Sequence, residues 1–138
     1  MALLLAAAAS SHDAAAAAPE FVVIVNKQNH LKELSKGKLK TAFLRKISRW
    51  PWGAEIHPVD LPEGSPIRRE FDREVLNTTS AELEVYWIDQ KATRNIDPPA
   101  VAGGIEAAKA AVATYPGAIG YIPLMAVDGT VKMLELVP

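Results

Sequence analysis

Hydrophobic and polar positions alternate along this chain in blocks that change period several times. Phe21-Val22-Val23-Ile24-Val25 is an unbroken apolar, mostly β-branched run, which predicts a strand covered on both faces. Asn26 to Asn29 then turns the chain, and Ser35 predicts the N-cap of a helix that carries Leu39, Ala42 and Phe43 on one face and ends near Lys46. Trp50-Pro51-Trp52-Gly53 breaks the pattern, because proline removes a backbone donor and glycine permits left-handed geometry. Ile56 to Leu61 predicts a second short strand, with Pro58 marking an edge or an end. Ser65-Pro66 is the clearest helix start, followed by Ile67, Phe71 and Val75 at a spacing of four and closed by Asn77. Thr79 with Glu82 forms a capping box for the next helix, in which Leu83, Tyr86, Trp87 and Gln90 share a face until Asp97-Pro98-Pro99. From Gly104 a further helix runs through Ile105, Ala108, Ala111 and Val112 to Tyr115-Pro116-Gly117. Ala118 to Ile122 and Val131 to Leu136 are the last two predicted strands, joined through a turn at Asp128-Gly129. This order of elements predicts one α/β sandwich with a mixed sheet.

Residues 1–18 stand outside that pattern. The segment is rich in alanine and contains Leu3, Leu4 and Leu5, and Ala15-Ala16-Ala17 has the small-x-small spacing that signal peptidase reads. Its apolar run is shorter than the roughly 20 residues a membrane-spanning helix needs. A signal peptide is the sharper expectation and an Ala-rich N-terminal tail the plainer one, with residues 19–138 as the single folded domain. Hydrophobic residues make up 49% of the 138, a globular rather than a disordered balance. With 15 Lys and Arg against 16 Asp and Glu, the chain has no net basic character that would favour nucleic acid. The charge is uneven, however. Lys27, Lys32, Lys36, Lys38, Lys40, Arg45, Lys46 and Arg49 face only Glu33 in their stretch, a pattern that predicts the solvated face of an amphipathic helix or a surface for an anionic partner.

Candidate chemistry is sparse. Absence of cysteine excludes disulfides, thiolate metal sites and cysteine nucleophiles. His30 and His57 lie in unrelated segments, and no HExxH, GxSxG, Walker or GxGxxG pattern is present, so no enzyme, cofactor site or metal site is expected. Asn77-Thr78-Thr79 matches a glycosylation sequon, a short pattern common by chance. The site that physics does single out is Ser65. A helix N-terminus offers unpaired N–H groups and partial positive charge to an anion, Gly64 allows close backbone approach, and Arg68 and Arg69 occupy the first turn. The plain alternative is that Ser65 only caps its helix, and Pro66 removes one of the donors.

Several segments recur in an order that resembles the phosphate ABC transporter substrate-binding family, the PstS-like periplasmic binding proteins. They are Val23-Ile24-Val25-Asn26-Lys27, Leu34-Ser35, the run from Ala42 to Trp50, Ser65 with Phe71, Trp87, and Pro116-Gly117-Ala118-Ile119-Gly120-Tyr121. The resemblance extends from Phe21 to about Ile122 and matches only the second lobe of a type 2 periplasmic binding protein. It implies an exported α/β domain, a mixed sheet flanked by helices. It places Ser65 at an anion loop and Asp60 at the acidic residue preceding that loop. Pro66 and Ile67 stand where the family has Gly and Thr, and Pro58-Val59 where it has an arginine. Two functional classes follow. One is a solitary lobe binding phosphate or another small oxyanion weakly, in contact with a membrane transporter. The other is an exported interaction module with a degenerate ligand site, meeting a periplasmic protein partner through Trp50-Pro51-Trp52 or the basic stretch.

Overall fold

The computed structural model describes residues 21–138, so the expectations for residues 1–18 lie outside it. Six strands form one mixed sheet: β1 (Phe21–Val25), β2 (Glu33–Ser35), β3 (His57–Asp60), β4 (Ala100–Val101), β5 (Ala118–Pro123) and β6 (Lys132–Val137). Their order is β2-β6-β1-β5-β3-β4. β1 is antiparallel to both neighbours, with Phe21 opposite Pro123 and Val23 opposite Leu134, whereas β2 runs parallel to β6 and β3 runs parallel to β5 and β4. The apolar run at the start of the domain is thus a central strand, and Val23, Ile24 and Val25 are fully buried.

Four α-helices cover the sheet: α1 (Lys36–Phe43), α2 (Pro66–Phe71), α3 (Ser80–Arg94) and α4 (Ile105–Thr114). Their predicted starts hold. Ser35 Oγ accepts from Lys38 N at 3.2 Å and Ser65 Oγ from Arg68 N at 3.4 Å. Thr79 Oγ1 accepts from Glu82 N at 3.3 Å, so each of these caps satisfies an N–H that the first turn leaves unpaired. α2 continues into a π-helical turn, Asp72–Leu76, which Asn77 ends in left-handed geometry at φ 53°. α1 stops at Phe43, three residues before Lys46, where Arg45 takes φ 60°. Phe21, Phe43, Phe71 and Tyr121 form an aromatic cluster between the sheet and α1–α2, with Phe71 and Tyr121 stacked at 3.9 Å.

The strand order and two short strands go beyond the predicted pattern. Asp128-Gly129 does turn the chain, with Asp128 Oδ1 accepting from Thr130 N at 3.0 Å, but β5 and β6 are not a hairpin. They flank β1 on opposite sides, so the connection passes over the end of that strand. Lys109 pins this crossover, donating to Ala126 O at 3.0 Å and to Asp128 Oδ2 at 2.8 Å. The two short strands β2 and β4 carry no periodic signal. Pro58 is the second residue of β3, near the strand end that the proline marks. His57 N donates to Gly117 O on the β5 side at 3.0 Å. By alternation the Pro58 nitrogen faces the other way, where β4 pairs only from Val59 onward.

Two of the segments that carried the family resemblance, the run ending at Trp50 and the phrase containing Gly117, meet in a seam. Trp50 is buried, and its Nε1 donates to Gly117 O at 2.9 Å. A Cβ on Gly117 would lie 1.7 Å from Glu55 O, so only glycine lets these backbones approach. Trp52 is half-buried and stacks on Trp50 at 5.6 Å, and exposed His30 stacks on Trp52 at 4.5 Å. The basic stretch is largely solvated, with seven of its eight cationic side chains exposed and Lys40 half-buried.

Candidate binding site

β3 delivers Asp60 to the end of the sheet, and the loop from Leu61 to Gly64 leads into the Ser65 cap of α2. Arg68 in the first turn folds back over this loop, and its Nη1 donates to Leu61 O at 3.0 Å. Its Nε lies 3.4 Å from Asp60 Oδ1 and 3.5 Å from Asp72 Oδ2. Neither approach has hydrogen-bond geometry, so Arg68 Nε and both Asp72 oxygens are buried without a hydrogen-bond partner. The attraction is therefore that of charges held close together. Tyr121 OH donates to Asp60 Oδ1 and accepts from Leu61 N at 3.3 Å.

The fold thus brings Asp60, Gly64, Ser65 and Arg68 around one loop, with Arg69 at its exposed margin. Arg69 is exposed, and its Nη1 reaches only Gly64 O at 3.4 Å. Two members of the site were not singled out from the sequence. Asp72 stands four residues after Arg68, a helical spacing that pairs opposite charges. Tyr121 closes the Pro-Gly-Ala-Ile-Gly-Tyr phrase, but only the β3–β5 pairing brings it to Asp60.

Two carboxylates share one guanidinium here, and burial sets the balance. Burial raises the pKa of Asp60, against the lowering effects of the Tyr121 hydrogen bond, Arg68 and the Leu61 N–H. Asp72 is pushed up to about 6, first by burial and then by the charge of Asp60, with Arg68 opposing both. Tyr121 is raised by burial and by Asp60, which keeps its hydroxyl protonated as a donor.

Arg68 and Asp60 form part of the floor of an open cleft of about 650 Å³ between α3, β4 and the loop after β3. Its wall is apolar at Leu83, Trp87 and Val101, while Glu63, Glu84 and Asp97 bring acidic groups to it and Lys91 a cation. Lys91 is itself paired with Asp97 at 3.0 Å. The arrangement can hold a small polar ligand against Arg68, but it offers an anion little uncompensated positive charge. Among the described residues, no group of three or more His, Asp or Glu is placed to hold a metal ion. No described helix is long and apolar enough to cross a membrane.

No family model matches the chain, and no curated protein matches it. Solved structures do. A protein assigned as a phosphate ABC transporter substrate-binding protein from Clostridium perfringens, with phosphate bound, matches 85% of this chain at 26% identity and TM-score 0.67. An ABC-type phosphate transport receptor from Vibrio cholerae matches at 18% identity and TM-score 0.68. PstS from Borrelia burgdorferi matches at 14% identity and TM-score 0.66. The chain spans less than half the length of each, 44%, 46% and 47% respectively. The resemblance to phosphate ABC transporter substrate-binding proteins therefore holds in three dimensions, and the fold is that of one lobe of such a protein. The matched structures are binding and transport proteins rather than enzymes, which supports a related binding role.

Proposed function

We propose that the chain is an exported, single-lobe relative of phosphate transporter binding proteins that holds phosphate or another small oxyanion weakly. The observation that carries this reading is the Asp60–Arg68 pair on the cleft floor, beside the Ser65 cap, in a fold shared with a phosphate-bound relative. An oxyanion there would meet the Arg68 guanidinium and the Ser65 hydroxyl, with Gly64 allowing close approach. Weak binding follows from the charge count, because Asp60 and Asp72 already neutralise Arg68. It follows also from the shape of the cleft, which is open to water along its mouth. Contact with a membrane transporter belongs to the same reading.

Calorimetric titration of the protein with phosphate, sulfate and molybdate tests it. Saturable binding near 1 mM, about 4 kcal/mol, that is lost in Ser65→Ala is expected; no heat with any of the three would sink the oxyanion site. Export is tested by mass spectrometry of the chain recovered from a secreting host, where cleavage after Ala17 is expected and a retained N-terminus counts against it.

One observation favours the second reading, an interaction module whose ligand site has decayed. Arg68 is already held by the charges of Asp60 and Asp72 and by Leu61 O, so the loop is held together without any ligand.

A further inference from the structure

The sheet ends at β4, and among the described residues that edge is uncovered. Ala102 N donates to Asp60 O at 2.8 Å, so the alternation of the strand turns the N–H and C=O of Val101 away from β3. Val101 is 57% exposed, and among the described residues no strand pairs with that side of β4. The two faces of the sheet beside this edge each open into a hollow. On the α2 side lies the cleft of about 650 Å³, where Glu63 and Glu84 have no ion-pair partner among the described residues. On the α4 side lies a groove of about 420 Å³ lined by Pro58, Val59, Ala107, Ala111 and Tyr115, with His57 and Arg45 at its polar margin. The hollows are on opposite faces, because Val59 packs toward Gly120 and Val112 of α4 whereas Asp60 turns to Tyr121 and Arg68.

Successive side chains of a strand point to opposite faces. An added strand would therefore send alternate residues into the acidic cleft and into the apolar groove, while its backbone bonds to Val101. We propose that the β4 edge binds an extended peptide carrying basic side chains on one face and apolar side chains on the other. Strand addition of this kind takes affinity from main-chain hydrogen bonds and selectivity from the alternating pockets. The inference gives the interaction-module reading a partner of defined chemistry and does not depend on the Ser65 site.

Fluorescence anisotropy with the full chain and a labelled peptide of about six residues alternating Lys and Val, the usual length of a strand, tests the proposal. Saturable binding is expected. It should fall about tenfold or more, a loss of about 1.4 kcal/mol, in Glu63→Lys/Glu84→Lys and in Val101→Pro, which removes the outward N–H. A peptide N-methylated at alternate amides should also lose binding, a result that does not depend on any variant folding. Ser65→Ala should leave peptide binding unchanged, so the oxyanion site and the edge fail or stand separately. Binding that is absent up to millimolar peptide, equal for a Glu-Val peptide, or indifferent to N-methylation would overturn the proposal. So would sedimentation showing that a second copy of the chain occupies this edge.

Discussion

The Trp50–Gly117 seam and the Asp60–Arg68–Asp72 cluster both bury polar atoms, and they do so on opposite terms. At the seam one neutral donor meets one carbonyl at 2.9 Å, and a glycine at the contact lets the backbones close. The balance is complete within the pair. At the cluster one cation faces two carboxylates, and the Asp72 oxygens have no hydrogen-bond donor among the described residues. The seam behaves as a fastening whose worth is steric and local. The cluster stores unfavourable burial that a proton or a ligand could relieve, and such imbalances gather at functional sites more often than in plain scaffold.

Removing the cation should separate the two regions most sharply. Arg68→Ala leaves two buried carboxylates uncompensated and should cost about 3–5 kcal/mol near pH 7. Urea denaturation at pH 7 and at pH 5 checks it, with part of the loss recovered at the lower pH as the aspartates take up protons. A loss under 1 kcal/mol would mean that the cluster is wetter than the geometry indicates.

At the seam, Gly117→Ala forces a Cβ against the Glu55 carbonyl and should destabilise by about 3 kcal/mol, with no dependence on pH between 5 and 7. Pro116→Ala, beside it and exposed, serves as the control and should stay within about 0.5 kcal/mol.

Asp72 gives a smaller and signed effect. Its folded-state pKa of about 6 lies above the unfolded value, so the folded protein binds the proton more tightly. Its contribution to stability is present at low pH and is lost as pH rises from about 4 through about 6. The stability difference between wild type and Asp72→Asn should therefore shift by about 1–3 kcal/mol across that window, in favour of the variant at the higher pH. A difference that stays flat with pH would remove Asp72 from the coupled cluster.

Ser65→Ala should show a small effect on folding, about 1 kcal/mol for a lost N-cap. Thr79→Ala, a cap far from Arg68 in the chain, should cost a similar amount, and a much larger loss at Ser65 alone would show that the cap also holds the cluster in place.

Read residue by residue, the signals that succeeded were those completed within one or two turns of chain. Ser35, Ser65 and Thr79 cap helices because a side-chain oxygen needs only the N–H three residues on. Asn77 ends its helix because asparagine tolerates positive φ, 53° here, while the next helix stops at Asn95, φ 55°, two residues before the Asp97-Pro98-Pro99 break read from the sequence. The Asp128-Gly129 turn was legible in the same way, but a local turn does not decide which strands pair: β5 and β6 both pair with β1, some hundred residues earlier in the chain. β2 and β4 escaped notice because two or three residues cannot show a period.

The candidate site divides in the same way. Ser65 with Gly64, Arg68 and Arg69 could be proposed from a helix start, since four neighbouring residues share it. That Arg69 points outward, that Tyr121 reaches Asp60, and that Asp72 closes a second carboxylate onto Arg68 depend on strand order and helix placement. The sequence alone determined the longer elements, their caps and the glycine–tryptophan phrases of one binding-protein lobe, because these rest on short-range sterics and hydrogen bonding. Only the tertiary structure decided where charge is left over and which sheet edge is left open, because burial and strand pairing are set by residues far apart in the chain.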